Sequence, residues 1–278
     1  MNVTNQSSPH GVSLYRFQPY SDGLNIRAER IQRDALWFST PKRLNDPMDV
    51  DHPMDDLMAE AGATGSGLKD LAKVMYGGAL KRFPKELVND DLQEAIHGWV
   101  GSDQDSDVLL THFRERFQNL GVACFTPNWN CPPMWAHYAE NWKGFALEYS
   151  VRQMPMASSS ENNMFWQFWV NYASRISQTS LSELLLSPYE AAARILSTKT
   201  LPWSYENEWR LISLGGGDKA LRVPVGMTLS GVILGPKSPC DQSKVLGKKC
   251  SDWSVPLRQV IVGMDRTLHL REARRECQ

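Results

Sequence analysis

The sequence predicts an α+β fold, a central and mostly antiparallel sheet with an inserted helical lobe. Three observations predict it. Short apolar or alternating segments bounded by Pro, Gly and Asn recur in both the first and the last parts of the chain. A block from about Asp55 to Leu120 carries helical rather than alternating spacing. The glycines Gly215-Gly216-Gly217 separate two alternating segments in the manner of a hairpin. Neither an internal repeat nor a linker interrupts the chain. The reading is therefore one domain over 13–265, a disordered segment at 1–12 and a charged tail at 266–278.

Ser13 to Phe17 reads as the first strand, Leu24 to Asp34 as a helix, and Ala35 to Thr40 as a second strand stopped by Pro41. Asn45-Asp46-Pro47 is a turn signal, because Asn and Asp bond their own backbone and Pro fixes φ. In the helical lobe, Leu109, Leu110, Phe113, Phe117 and Leu120 fall on one helix face and predict core. Gly121 to Thr126 is a strand, Pro133 to Asn141 a short helix and Gly144 to Tyr149 a strand. The small polar residues of Met154 to Asn163 predict a mobile loop. Phe168 to Tyr172 is strand-like, Leu181 to Ser197 helical. Ser204 to Leu214 is expected to pair with Ala220 to Val225, and Val232 to Leu234 and Val260 to Val262 complete the sheet.

Charge narrows the function classes. Thirty basic against 31 acidic residues give a net charge of -1, so a general nucleic-acid footprint is absent. No stretch approaches the roughly 18 apolar residues of a membrane span, and the polar start lacks the apolar region of a secretory signal. Five cysteines without CxxC spacing predict reduced thiols and a cytoplasmic protein. The six histidines show no HExxH spacing, so no metal is expected. Phosphate-binding GxxxxGK[ST] and GxGxxG loops and the GxSxG elbow are absent as well.

Three groups of residues could carry chemistry. In the run from Lys199 to Arg210, an extended backbone would put Glu206, Glu208 and Arg210 on one face. Two carboxylates about 7 Å apart along a strand raise each other's pKa unless a cation intervenes, and Arg210 is placed to be that cation. An exposed strand face with an ordinary ion pair would read the same way. In the second group, Met134-Trp135-Ala136-His137-Tyr138, an imidazole stands beside aromatic rings and could serve as acid, base or hydrogen-bond donor; a hydrogen-bonded core histidine is the plainer explanation. The third combines Tyr15-Arg16, a ring beside a guanidinium able to bind phosphate, with Ser39, Thr40, Asn45 and Asp46 at the end of the next strand.

Taken in order, Leu14 to Phe17, Phe38 to Pro47, Gly121 to Phe125, Met134 to Tyr138, Lys143-Gly144-Phe145, Val170-Asn171-Tyr172, Lys199 to Arg210 and Gly235 resemble a bacterial family known as domain of unknown function 2971. Met48 and Trp142 depart from its pattern, where an aromatic residue and a histidine are expected. A second, looser resemblance is to ADP-ribosyltransferases, in the order Arg16, then Ser39 and Thr40, then Glu206-Asn207-Glu208. That resemblance implies two small sheets around a cleft, NAD as substrate, and a macromolecular acceptor that the sequence does not identify. Carried over, Glu208 would hold the nicotinamide ribose and Glu206 would orient the nucleophile. Arg16 would meet the pyrophosphate, and Tyr15, Tyr138 or Trp135 would stack on a ring. The expectation is an ADP-ribosyltransferase-like enzyme or NAD glycohydrolase, a toxin or phage-defence effector. The alternatives are a metal-assisted nuclease or phosphoesterase using Glu206, Glu208, Asp46 or His137, and a non-catalytic binding module.

Overall fold

A computed structural model describes residues 11–21, 27–50, 90–101, 106–152, 157–160, 163–176, 179–180, 183–184 and 187–273. The expected disordered start, the lobe before Asp90, the beginning of the Leu24 helix and the last residues of the tail lie mostly or wholly outside these. The first part of the chain forms β1 (Val12–Gln18), α1 (Arg27–Arg30) and β2 (Ala35–Phe38). Helices α2 (Asp90–Gly101) and α3 (Ser106–Gln118) lead into β3 (Gly121–Phe125), α4 (Pro132–Tyr138) and β4 (Phe145–Val151). Then come β5 (Ala157–Ser160), β6 (Asn163–Trp169), β7 (Asn171–Ala173), α5 (Pro188–Ser197) and β8 (Thr198–Thr200). The chain ends with β9 (Trp209–Ser213), β10 (Lys219–Arg222), β11 (Met227–Leu234), α6 (Cys240–Trp253), β12 (Leu257–Val262) and β13 (Leu268–Glu272).

The fold is α+β. One sheet has five strands in the order β1-β4-β11-β12-β13, antiparallel except for β11 beside β12. The other has four, β3-β9-β6-β5, all antiparallel. The two meet where Tyr15 and Thr126 exchange backbone hydrogen bonds of 2.7 and 2.9 Å. Alternation along β1 explains the layering. Leu14 enters the core between the sheets with Phe125, Leu147 and Trp209, while Tyr15 and Phe17 pack on the far side against Met134 and Trp135 of α4. The predicted stripe Leu109, Leu110, Phe113, Phe117 and Leu120 is buried against Val122, Trp166 and Ile212 of the four-stranded sheet.

Several expected elements differ. Leu201–Glu206 is a 3₁₀ helix rather than a strand, since Pro202 suits a first helical turn, and β9 starts only at Trp209. The glycine run is not a hairpin between β9 and β10. It packs on the Asn119–Gly121 corner, where a Cβ on Gly217 would lie 2.9 Å from the Thr40 nitrogen, and β10 pairs with β2 instead. Ala157–Ser160 is a strand inside the stretch expected to be a loop, and Leu268–Glu272 is the edge strand of the larger sheet rather than a tail. Pro188 opens α5 instead of interrupting it. Cys124, Cys131 and Cys250 are free thiols, but Cys240 is disulfide-bonded, against the expectation of reduced thiols throughout.

Between α4 and β4 the chain turns through three consecutive left-handed residues, Glu140, Asn141 and Trp142, with φ of 47°, 52° and 74°. Trp142 stacks on Trp135 with ring centroids 6.1 Å apart, and its carbonyl accepts from Lys237. Gly144 closes the turn so tightly that a Cβ there would lie 2.0 Å from the Gln18 carbonyl oxygen, a backbone atom that cannot swing away. Gly144→Ala is expected to cost about 1–3 kcal/mol through this overlap, read as a lower midpoint in chemical denaturation.

Candidate functional site

The segment after β2 carries the first wall of the site. Pro41–Arg43 forms a 3₁₀ turn, and the Asp46 carboxylate accepts the Met48 N–H at 2.9 Å. This local turn, the Asn-Asp-Pro signal in physical form, aims Asn45 and Asp49 toward the end of the four-stranded sheet. On the other wall, Asn207 closes the Leu201–Glu206 turn in the left-handed conformation, φ 43°, which Asn tolerates because its short side chain bonds locally. The reversal brings Glu206 and Glu208 together without a shared strand. The Glu208 N–H donates to the Tyr172 hydroxyl at 2.9 Å.

Five charged side chains converge there, none more than 4% exposed. Arg210 spans two carboxylates. It meets Glu208 at 2.7 and 3.1 Å and Asp49 at 2.8 and 2.6 Å, and donates to the Leu196 carbonyl at 2.9 Å. Lys199 reaches Glu206 at 2.7 Å, Glu208 at 2.9 Å and Asp49 at 3.4 Å. Glu206 has no contact with Arg210; its other oxygen accepts from the Tyr138 hydroxyl, which in turn accepts from the Asn45 amide at 2.7 Å. The two glutamates consequently differ. Burial disfavours charge on Glu208, but Arg210 and Lys199 outweigh it and hold the carboxyl down to about 2. Burial also raises Glu206, and with the repulsion of Glu208 it outweighs the pull of Lys199, leaving this carboxyl above its usual range.

A hollow of about 270 Å³ opens over the cluster, at the junction of β1 and β3. Of the residues singled out in the sequence, it is lined by Tyr15, Arg16, Ser39, Asn45, Tyr138, Glu206 and Glu208. Arg16 faces it from β1 with its guanidinium 5.8 Å from the centre of the Phe125 ring. Burial lowers the Arg16 pKa, and among the described residues no carboxylate pairs with it. The same hollow is thus lined by a part-buried guanidinium and by an acid in contact with a hydroxyl.

The remaining candidates lie elsewhere. Arg210 is fully buried beneath the hollow as the strut of the cluster. Trp135 is also fully buried, edge-on to Phe17 at 4.9 Å and donating to the Trp129 carbonyl at 2.7 Å, so it has no free face for a ligand ring. His137 is exposed and bonded to the Tyr205 hydroxyl at 2.9 Å, outside the lining. Thr40 bonds Asp218 through both its amide and its hydroxyl at 3.2 Å, and Asp46 is spent on its turn. Asp49, Lys199 and Cys124 line the hollow without having been singled out. Lys199 heads the very segment that carries Glu206 and Glu208, and Asp49 follows Asn45 by one turn's length; both signals are in the sequence but point nowhere until the two segments meet.

Among the described residues no group of three His, Cys, Asp or Glu side chains is arranged to hold a metal ion, and no helix is long and apolar enough to cross a membrane. No curated protein and no solved structure matches the chain. Residues 134–211, from α4 through the middle of β9, match the model of a family described as protein of unknown function (DUF2971), which supports, over this segment, the family the sequence motifs resemble.

Proposed function

We propose that the hollow is the catalytic site of an enzyme that breaks the nicotinamide–ribose bond of NAD, passing the ADP-ribosyl group to an acceptor or to water. The observation that carries this reading is that Arg16 and Glu206 line one hollow, a guanidinium with no carboxylate partner among the described residues and an acid with a hydroxyl on it. Two sheets meeting at a cleft are also what the transferase resemblance implies. At about 270 Å³ the hollow is just under the usual ligand range of roughly 300–1,000 Å³, suited to one ring and its sugar rather than a whole dinucleotide.

The residue roles follow from who is already engaged. Glu208 is neutralised by Arg210 and Lys199 and serves as a strut, so Glu206 takes the ribose-facing role. As the C1′–N1 bond breaks, its electron pair leaves on neutral nicotinamide, and the positive charge growing on the ribose is stabilised by the Glu206 carboxylate. A nucleophile then bonds to C1′ and its proton passes to Glu206. Tyr138, fixed by Asn45, orients that carboxylate. Arg16 takes the nearer phosphate. A metal-assisted phosphoesterase is less well supported, since Lys199 and Arg210 already occupy the carboxylate oxygens that a Mg²⁺ would need.

Purified protein is expected to release nicotinamide from NAD, and Arg16→Gln to raise KM at least tenfold by removing a charge-assisted hydrogen bond to phosphate. Chromatographic assay of nicotinamide checks both. If no NAD turnover occurs with water, protein extracts or nucleic acid as acceptor, and no NAD binding is detected, this reading is wrong.

A further inference from the structure

We propose that the hollow exchanges a proton for the positive charge of its ligand: Glu206 is a neutral acid in the free protein and gives up its proton when a cationic ring enters, so the site takes oxidised pyridinium nucleotides in preference to their neutral, reduced forms. The proposal rests on the reading of the hollow as a nicotinamide-nucleotide site and adds the basis of its selectivity.

The argument begins with a charge count. Asp49, Glu206 and Glu208 are three acids, while Lys199 and Arg210 are two bases, all within 2.6–3.4 Å of a partner and at most 4% exposed. With every group ionised the cluster holds one uncompensated negative charge, and a buried unpaired charge is relieved by taking up a proton. Geometry says where the proton goes. Arg210 clasps both Asp49 and Glu208, whereas Glu206 has Lys199 as its one cationic partner in the cluster; the Tyr138 hydroxyl that donates to its other oxygen favours the ionised form but brings no charge.

The groups facing Glu206 from every neighbouring element leave it as the one that changes charge. Lys199 on β8 is held protonated by Glu208, Asp49 and Glu206 despite its burial, and Arg210 on β9 is charged throughout. Tyr138 on α4, Tyr172 on β7 and Tyr205 in the 3₁₀ turn are all raised by burial and the nearby glutamates, so they remain neutral. Cys124 on β3 is raised by burial and by Glu208 and stays a thiol. Arg16 on β1 and Arg43 of the Pro41–Arg43 turn, the latter paired with Asp218, line the same hollow, and His137 bonds the Tyr205 hydroxyl outside it.

A pyridinium ring placed against Glu206 supplies the missing positive charge. An opposite charge within about 4–6 Å lowers a carboxyl pKa by 1–3 units, which favours release of the proton. Binding of the cationic ligand then tightens about tenfold for each pH unit gained below the Glu206 pKa. Binding of a neutral ring gains nothing from the rise. The exchange also readies the site for reaction, because the vacated carboxylate can accept the nucleophile's proton.

The test is titration calorimetry on the full chain, in pairs of buffers that differ in ionisation enthalpy. The cationic probe is the carbocyclic analogue of NAD, which keeps the pyridinium but resists cleavage; the neutral probe is NADH. About one proton is expected to be released per analogue bound and none per NADH, with the count falling to zero as pH passes the Glu206 pKa. Glu206→Gln is expected to abolish the release, and the pH dependence of the wild-type count decides the matter even if that variant fails to fold. Equal affinity for both probes without proton release overturns the exchange but leaves the NAD site standing. Absence of binding by either probe overturns both.

Discussion

Arg210→Met lowers the stability of the folded chain by about 3–5 kcal/mol, the expected cost of removing one partner from a buried ionic cluster. The substitution leaves Asp49, Glu206 and Glu208 around Lys199 alone, with the Leu196 carbonyl also short of a donor. Against the roughly 5–15 kcal/mol that holds a typical domain together, this is a large fraction. The melting temperature should fall by roughly 6–20 °C in a thermal scan. A simple loss of packing would give the same fall, so the double variant Arg210→Met, Asp49→Asn is the control. Removing the surplus acid should recover part of the loss if charge is the cause, and none if packing is. The pH profile adds a second signature. Glu208, held down to about 2, contributes stability that is present above the usual carboxylate range and lost as pH falls toward 2. In the single variant that acid limb should move to higher pH, because the guanidinium that holds Glu208 ionised is gone.

The second large effect is on activity. Glu206→Gln is expected to reduce nicotinamide release by about 10²–10³-fold in kcat, the range associated with losing one group that stabilises developing charge. The amide keeps an acceptor for the Tyr138 hydroxyl but cannot ionise. Its effect on stability runs opposite to that of Arg210→Met. The folded pKa of Glu206 is raised, so its contribution is fully present below the ordinary carboxylate range and is lost as pH rises through the folded value. The glutamine variant should therefore melt no lower than wild type at neutral and alkaline pH. A variant that loses activity and melting temperature together at neutral pH would place Glu206 in the framework rather than in the chemistry. Glu208→Gln is the useful contrast, since its carboxylate is a strut and its loss should show first in the melt.

Much of the fold could be read locally. The alternation of Leu14, Tyr15, Arg16 and Phe17 separates two buried layers, and the spacing from Leu109 to Leu120 marks the helix face that covers the smaller sheet. These patterns depend on neighbours within a few residues, which a sequence displays directly. The run from Ser204 to Arg210 shows the limit. Its alternating charges imitate a strand, yet Pro202 starts a 3₁₀ turn and Asn207 reverses it, so Glu206 and Glu208 meet by a bend rather than by strand periodicity. The grouping of Glu206, Glu208 and Arg210 was legible all the same, because residues two apart stay close in either geometry. Asp49 was not, because an acid after an Asn-Asp-Pro turn looks like turn chemistry. Its pairing with Arg210 spans 161 positions and leaves no local trace. The charged edge strand β13 was hidden for a related reason: at the rim of a sheet the backbone ladder can set the structure while side chains remain polar.

That span has a kinetic meaning. Closing a loop of such length costs conformational entropy before any contact rewards it, so the pairing of Asp49 with Arg210 belongs to the slow, non-local class of folding events. Until the two chain segments dock, Glu206, Glu208 and Lys199 are ordinary hydrated charges with unremarkable titration, and the hollow has no floor. Competence for chemistry thereby arrives with global docking and not before, so that a nascent chain still short of Arg210 carries no assembled reactive centre.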